Sequence, residues 1–274
     1  MIQLLATVAA IAVILLCTLL PFLPGGYDSL AVPVSTMARF GAMAALLFVP
    51  VGALWLVSQY SSGLAARRLG LTVLTLAIAA LVWGFLSLAG WMSSVMLGVL
   101  TATFGVYLLA LAIRRFRQPS AAPLSPGVLA LCLGVLPIAV IALQWAIVPL
   151  AVDFSRDRAI RNSEPLIAAI ERYHAMSGRY PVSLQGLWPD YKTGIMGIER
   201  YRYEPSGETY NVFFEQPALR FGTREIVMYN PRDEQEMTSH TAALLGTPEQ
   251  LNRRRGYYAS GDTAHPQWKY FWFD

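Results

Sequence analysis

Charge is scarce in this sequence. Only 14% of its 274 residues are charged, 55% are hydrophobic, and the mean hydropathy is +0.45. A soluble globular protein carries about 25% charged residues, so the shortfall points to a chain that faces lipid. Acid is scarcer still. Up to Leu150, Asp28 stands alone against Arg39, Arg67, Arg68, Arg114, Arg115 and Arg117. The net charge of +4 therefore belongs to loops flanking apolar runs and does not form a nucleic-acid footprint. Cysteine is nearly missing too. Cys17 and Cys132 both lie in apolar runs, which excludes a disulfide framework and a cysteine metal site from the polar last third. The residues before Cys17 lack the small side chains of a lipoprotein cleavage site. No nucleotide-binding loop, HExxH, CxxC, EF-hand loop or G-x-S-x-G occurs. The sequence assigns no catalytic, cofactor-binding or metal-ligating residue.

Long apolar runs are what the chain has instead. A spanning helix needs about 20 apolar residues. Ile2 to Leu23 is such a run; it has no basic leader or small-residue cleavage pattern, and we read it as a retained span. Pro24-Gly25-Gly26 ends it. Phe40 to Val57 is the second. Leu71 to Ile113 would reach about 65 Å as one helix, twice the hydrocarbon thickness. We therefore expect it to fold back near Gly90-Trp91-Met92-Ser93. Val128 to Leu150 is the last of five expected spans. On these boundaries no ionisable side chain lies mid-span, which argues against a proton relay or ion path. Gln144 is expected to make an interhelical hydrogen bond. Ser94, Gly98 and Ala102, with Ala80 and Gly84, are expected to let helices approach closely.

Sidedness follows from arginine. Arg67 and Arg68 precede the third run, and Arg114, Arg115 and Arg117 follow the fourth. Basic loops stay in the cytoplasm, so the chain after Leu150 is expected outside. Arg156, Arg158 and Arg161 just past the last run cut against this reading.

From Val152 the composition becomes polar, giving an expected division into residues 1–151 and 152–274. Leu166, Ile167, Ile170, Tyr173 and His174 share one helical face. Ser163 or Asn162 is the expected cap, and Gly178 the stop. Tyr201-Arg-Tyr and Tyr210 to Phe214 read as a hairpin with a longer loop. Arg224 to Tyr229 and Trp268 to Phe273 read as strands, Ser260-Gly-Asp as a turn, and a short helix is expected after Thr247-Pro248. One helix followed by an antiparallel sheet is an α+β layout. The roughly 120 residues from Asp153 are expected to make a self-sufficient core.

The stretch Leu166-Ile-Ala-Ala-Ile-Glu-Arg-Tyr, then Gly178-Arg-Tyr-Pro, then Leu184-Gln-Gly-Leu resembles the helix-to-sheet junction of type II secretion major pseudopilins and type IV pilin-like proteins. The apolar runs give a multi-pass α-helical membrane domain, and the resemblance implies that the α+β domain after it is pilin-like. The resemblance also implies a bacterial inner membrane with the C-terminal domain on the periplasmic side. Gly127 is not followed by the Glu of a pilin processing site, and Ser260 to Pro266 holds one acid where a pseudopilin calcium loop holds several. Processing, polymerisation and calcium binding are not carried over. The expected partners are the lipid bilayer and an envelope or secretion-system protein, without nucleic acid or cofactor. The alternatives are a membrane-anchored enzyme using scattered acids such as Glu171, Asp190 or Asp262, and an accessory subunit of a transport or secretion complex. Other candidates weigh less. His174, His240 and His265 are isolated, Asp233, Glu234 and Glu236 suit a solvated loop, Arg253 to Arg255 an exposed helix end, and the C-terminal aromatics a sheet core.

Overall fold

The computed structural model describes residues 2–58, 64–93, 95–116, 126–187, 191–217, 223–235 and 259–273. Seven helices come first: α1 (Ile2–Leu19), α2 (Ala31–Ala45), α3 (Val49–Ser58), α4 (Leu64–Ser93), α5 (Val95–Phe116), α6 (Pro126–Asn162) and α7 (Glu164–Ser177). Five strands follow: β1 (Arg202–Ser206), β2 (Thr209–Gln216), β3 (Arg224–Tyr229), β4 (Ala259–Asp262) and β5 (Trp268–Phe273). Three helical stretches are long and apolar enough to cross a membrane: Ala31–Val57, Gly70–Leu88 and Ala130–Ser177. Two shorter apolar helices, Thr7–Phe22 and Val95–Leu108, accompany them. The short helix expected after Pro248 lies outside the described residues.

The chain divides into two compact units: Met1–Thr18 with Pro33–Ile147, and Leu19–Val32 with Val148–Asp274. In the first, α4 and α5 pack together, α4 ending at Ser93 within the expected Gly90–Ser93 and α5 beginning at Val95. Trp83 Nε1 donates to the Thr101 carbonyl at 2.8 Å. Gly98 packs on Trp91 and Gly105 on Trp83 so closely that a Cβ at either would collide with the indole. Gly84, in contrast, has nothing near it, so the expected small-residue spacing is used only in part. Gly52 meets the backbone of Gly134 and Ala130, bringing α3 onto α6. Gln144 Nε2 donates to Thr18 Oγ1 at 2.9 Å, the interhelical bond expected of it. One boundary needs correction. The second apolar helical stretch begins at Ala31, ahead of Phe40, and so contains Arg39.

The second unit is built on the end of α6, a helix of 37 residues that runs on past its apolar stretch until Ser163 breaks it. Neither expected cap works as one. The Ser163 hydroxyl donates back to the Ile160 carbonyl, and Asn162 Nδ2 donates to the Thr193 carbonyl at 2.7 Å. At the other end of α7, Gly178 takes φ +69 and its N–H returns to the His174 carbonyl. A left-handed residue with a Cβ costs about 1–2 kcal/mol, and Gly178 has open space around it. Gly178→Val is therefore expected to lower the melting temperature of the detergent-purified chain by several degrees, and Gly178→Asn by much less. Equal melting of Gly178→Val and parent would show that the corner relaxes freely.

The sheet is antiparallel throughout, in the order β1-β2-β3-β5-β4. Leu166 and Ile170 of α7, with Ala159 and Ile160 of α6, pack on Val212, Phe214, Val227 and Trp268. Leu184 is buried in that core and Tyr180 and Leu187 pack against it, whereas Tyr173, also expected there, does not join it. Two turns were misread. Ser206 pairs with Thr209, so β1 and β2 are joined by two residues only, and Gly207 at φ +60 supplies the first position of a tight hairpin turn. Ser260-Gly-Asp is no turn; it is strand β4, where Gly261 leaves room for the Tyr270 ring. Pro205 sits within β1, an edge strand, where a missing N–H breaks no ladder bond.

The polar third is not complete by itself. Gly25 N–H donates to the Gly194 carbonyl at 2.9 Å and Asp28 N–H to Met196 at 2.9 Å. In return, Met196 N–H donates to Leu23 at 3.0 Å and Gly197 N–H to Pro21 at 2.8 Å. Phe22 is buried against Val148 and Val152. The segment Leu19–Val32 thus belongs with residues 148–274 and is laid along the loop before β1 almost as an added strand.

Candidate functional site

Past Leu150, Asp153, Arg156 and Asp157 of α6 are spaced i, i+3 and i+4, which puts them on one face. Alternation along β3 turns Glu225 to the same side as Val227. Along β5 it turns Tyr270 and Trp272 inward with Trp268. The result is a charged seam between helix and sheet. Arg156 donates to Glu225 Oε1 through Nη2 at 2.6 Å and Nε at 3.1 Å, and to Asp153 Oδ1 through Nη1 at 2.8 Å. Its guanidinium lies 4.7 Å from the centre of the Tyr270 ring. Trp272 Nε1 donates to the other Glu225 oxygen at 3.0 Å. Glu225 is only 1% exposed. A guanidinium and an indole N–H take the place of the water that so enclosed a carboxylate has lost. Beside it, Gln216 Nε2 donates to Ser155 Oγ at 2.7 Å, and Gln216 Oε1 is a buried oxygen without a partner among the described residues.

The seam continues at the β4–β5 turn. His265 Nε2 lies 3.2 Å from Asp157 Oδ1, and Arg161 reaches Asp157 Oδ2 at 3.4 Å. His265 is therefore not isolated, although its partner stands 108 positions away.

A second cluster lies at the Gly178 corner. Tyr210, fully buried, donates its hydroxyl to Glu171 Oε1 at 2.7 Å. The His174 and Tyr180 rings stack with centroids 4.1 Å apart, and Tyr203 donates to the Pro181 carbonyl at 2.7 Å. Burial pushes the Tyr210 phenol far up, and the bond to the Glu171 carboxylate adds to this. Burial also raises Tyr203 and Tyr229. These phenols stay protonated at any physiological pH, so they act as hydrogen-bond donors and not as nucleophiles. Met176 and Val182 flank the corner, each 81% exposed, the most exposed large apolar side chains among the described residues.

No family model, curated protein or solved structure matches this chain. Its function has to be read from its own geometry.

That geometry does not assemble the scattered acids. Glu171 is tied to Tyr210 on β2, while Asp262 is on β4, three strand spacings or about 14 Å across the sheet. Paired carboxylates that share a scissile bond stand within about 10 Å. Asp190, His240, Glu236 and Arg253 to Arg255 lie outside the described residues. Asp233 is exposed and bonded to Lys269 at 3.0 Å, and that ammonium holds its carboxyl below the usual range. Among the described residues no group of three or more His, Cys, Asp or Glu side chains is placed to hold a metal ion. The C-terminal aromatics serve the core: Trp268 packs on Phe214 and Tyr229. The seam was legible only in part. Glu225 inside an otherwise apolar strand was the available signal; its partner Arg156 lies 69 residues away.

Proposed function

We propose that this chain is a multi-pass protein of the bacterial inner membrane whose C-terminal, pilin-like domain works on the periplasmic side by contacting another envelope protein. The observation that carries the reading is α6. One unbroken helix runs from an apolar stretch of spanning length into the core of an α+β domain, the order of parts that pilin-like proteins use.

Two further features support the sidedness. Arg156 and Arg161 are engaged by Glu225, Asp153 and Asp157 of their own domain, so they weigh less against translocation than free loop arginines. Leu19–Val32 and Val148–Asp274 form one unit, which requires an even number of crossings between them. Counting the shorter apolar helix Val95–Leu108 as a crossing beside the three stretches of spanning length gives that parity. Met176 and Val182 at the Gly178 corner offer an apolar contact surface to a protein partner.

A periplasm-dependent reporter fused after Asp274 is expected to be active, and the same reporter fused at Gln118 inactive. A photo-cross-linking residue at position 182 should give one discrete adduct in intact cells. Reversed reporter activity would overturn the topology. A position-182 variant giving only monomer would overturn the contact surface.

A further inference from the structure

We infer that the C-terminal unit rests its base on the bilayer surface, where Arg158 binds the headgroup phosphate of an anionic phospholipid and Phe154 and Tyr27 lie at headgroup level. The inference rests on the membrane reading above. The chain leaves this unit at Val32 and returns to it at Val148, each time along a helical stretch of spanning length. Those two positions therefore mark the bilayer side of the unit. From Val128 to Leu150 the apolar part of α6 rises about 33 Å at 1.5 Å per residue, close to a hydrocarbon core of about 30 Å. Leu150 thus stands near the hydrocarbon edge. The headgroup layer adds about 5–8 Å beyond it. Phe154, about 6 Å further along α6, falls inside that layer.

Leu150, Phe154 and Arg158 follow one another at steps of four along a single stripe of α6. Leu150 is 69% exposed, Phe154 48%, and Arg158 is exposed as well, while Val152, Ser155, Ala159 and Ile160 on the other side are buried in the domain. The stripe passes from apolar to aromatic to basic as it leaves the hydrocarbon, the order in which a bilayer passes from tails to phosphates. Arg158 has no ion-pair partner among the described residues. Its helical neighbours three and four positions away are Phe154, Ser155, Arg161 and Asn162, none of them acidic. Asp153 and Asp157 are engaged by Arg156, Arg161 and His265. A helical side chain covers the turn N-terminal to its own Cα, which for Arg158 is the turn of Phe154, on the bilayer side. The guanidinium is thereby carried back toward the headgroup layer on its apolar stem, and its fork of donors matches a phosphate. Tyr27, half-exposed and five residues before Val32, is an aromatic of the kind that collects at this level. A protein partner would have to enter the headgroup layer to reach Arg158, so lipid is the nearer source of negative charge.

The test places a single bimane on the full chain, with Cys17→Ala and Cys132→Ala, in vesicles of phosphatidylglycerol and phosphatidylcholine, and reads its quenching by lipids brominated near the start of their acyl chains. At position 154, brominated phosphatidylglycerol is expected to occupy the contact about fivefold more than brominated phosphatidylcholine, the preference one arginine near the surface supplies. Arg158→Gln should bring the two lipids to equal quenching, and Arg158→Lys should keep most of the preference. A bimane at position 27 should be quenched, and one at position 182 should not. Unchanged melting of the Arg158 variants shows that they fold. Equal quenching by the two lipids in the parent, a preference that survives in Arg158→Gln, or its loss on adding free glycerol phosphate at the lipid concentration would each overturn the inference. A bimane at position 138, exposed midway along the apolar part of α6, separates the two readings. Quenching at 138 without quenching at 154 removes the surface contact alone, whereas no quenching at either position removes the membrane reading with it.

Discussion

A fragment of residues 148–274 is expected to melt at least about 10 °C below the same fragment carrying Leu19–Val32 through a flexible linker. The linked segment makes four backbone hydrogen bonds with Gly194, Met196 and Gly197, and it buries Phe22 and Ala31. Each bond adds about 1 kcal/mol net, and losing a buried Phe typically costs about 3–5 kcal/mol. A domain of this size has only about 5–15 kcal/mol in hand. A substitution separates this clamp from a general effect of the linker. A Cβ on Gly197 would meet the Pro21 backbone oxygen at 2.6 Å. Gly197→Ala should therefore lower the melting point of the linked form and leave the bare fragment almost unchanged. Calorimetry of the four proteins decides it. If linked and bare fragments melt together, the segment rests on the domain without stabilising it.

The second large effect belongs to the seam. Arg156→Met is expected to destabilise the domain by about 3–5 kcal/mol, because buried Glu225 is left without its guanidinium partner. For a domain of this length that is a fall of roughly 10–20 °C. Glu225→Leu alone should cost a similar amount, since Arg156 keeps only Asp153, which is largely exposed. The double variant should recover most of the loss, as apolar replacement of a whole buried pair usually does. Trp272 Nε1 would still lack its acceptor, so recovery stops short of complete. Additive single losses in the double-mutant cycle would show that the two charges do not sense each other.

Period and composition carried the reading of α7, β2, β3 and β5: α7 buries one apolar face, and the continuous apolar runs of β2 and β3 bury both. β4 did not announce itself. Ser260-Gly261-Asp262 has the composition of a turn, and it is a strand only because β5 pairs with it and Tyr270 needs the space above Gly261. The clamp was invisible for a different reason. Its bonds are made by the N–H and C=O groups of Pro21, Leu23, Gly25 and Asp28, which every sequence offers alike. Only the glycines at 25 and 197, placed where chains cross closely, marked it. The expected caps failed because a hydroxyl and an amide next to a helix start can also serve a neighbouring carbonyl, and here they do. Arg39 was left outside the second span because hydropathy rises only at Phe40, although the helix begins at Ala31.

Pro205 limits what the β1 side of the sheet can do. Its register partner is Tyr210, one step from the pair that closes the two-residue turn. Residues at that step turn their N–H groups away from the neighbouring strand. The missing donor therefore faces outward, at the turn end of the row of main-chain groups β1 has free to recruit another strand. A second copy approaching this edge finds a gap in the ladder, flanked by the charged side chains of Arg202 and Glu204. At high local concentration the domain is thereby guarded against edge-to-edge growth into aggregates on that side, and ordered self-association there has to proceed through side chains.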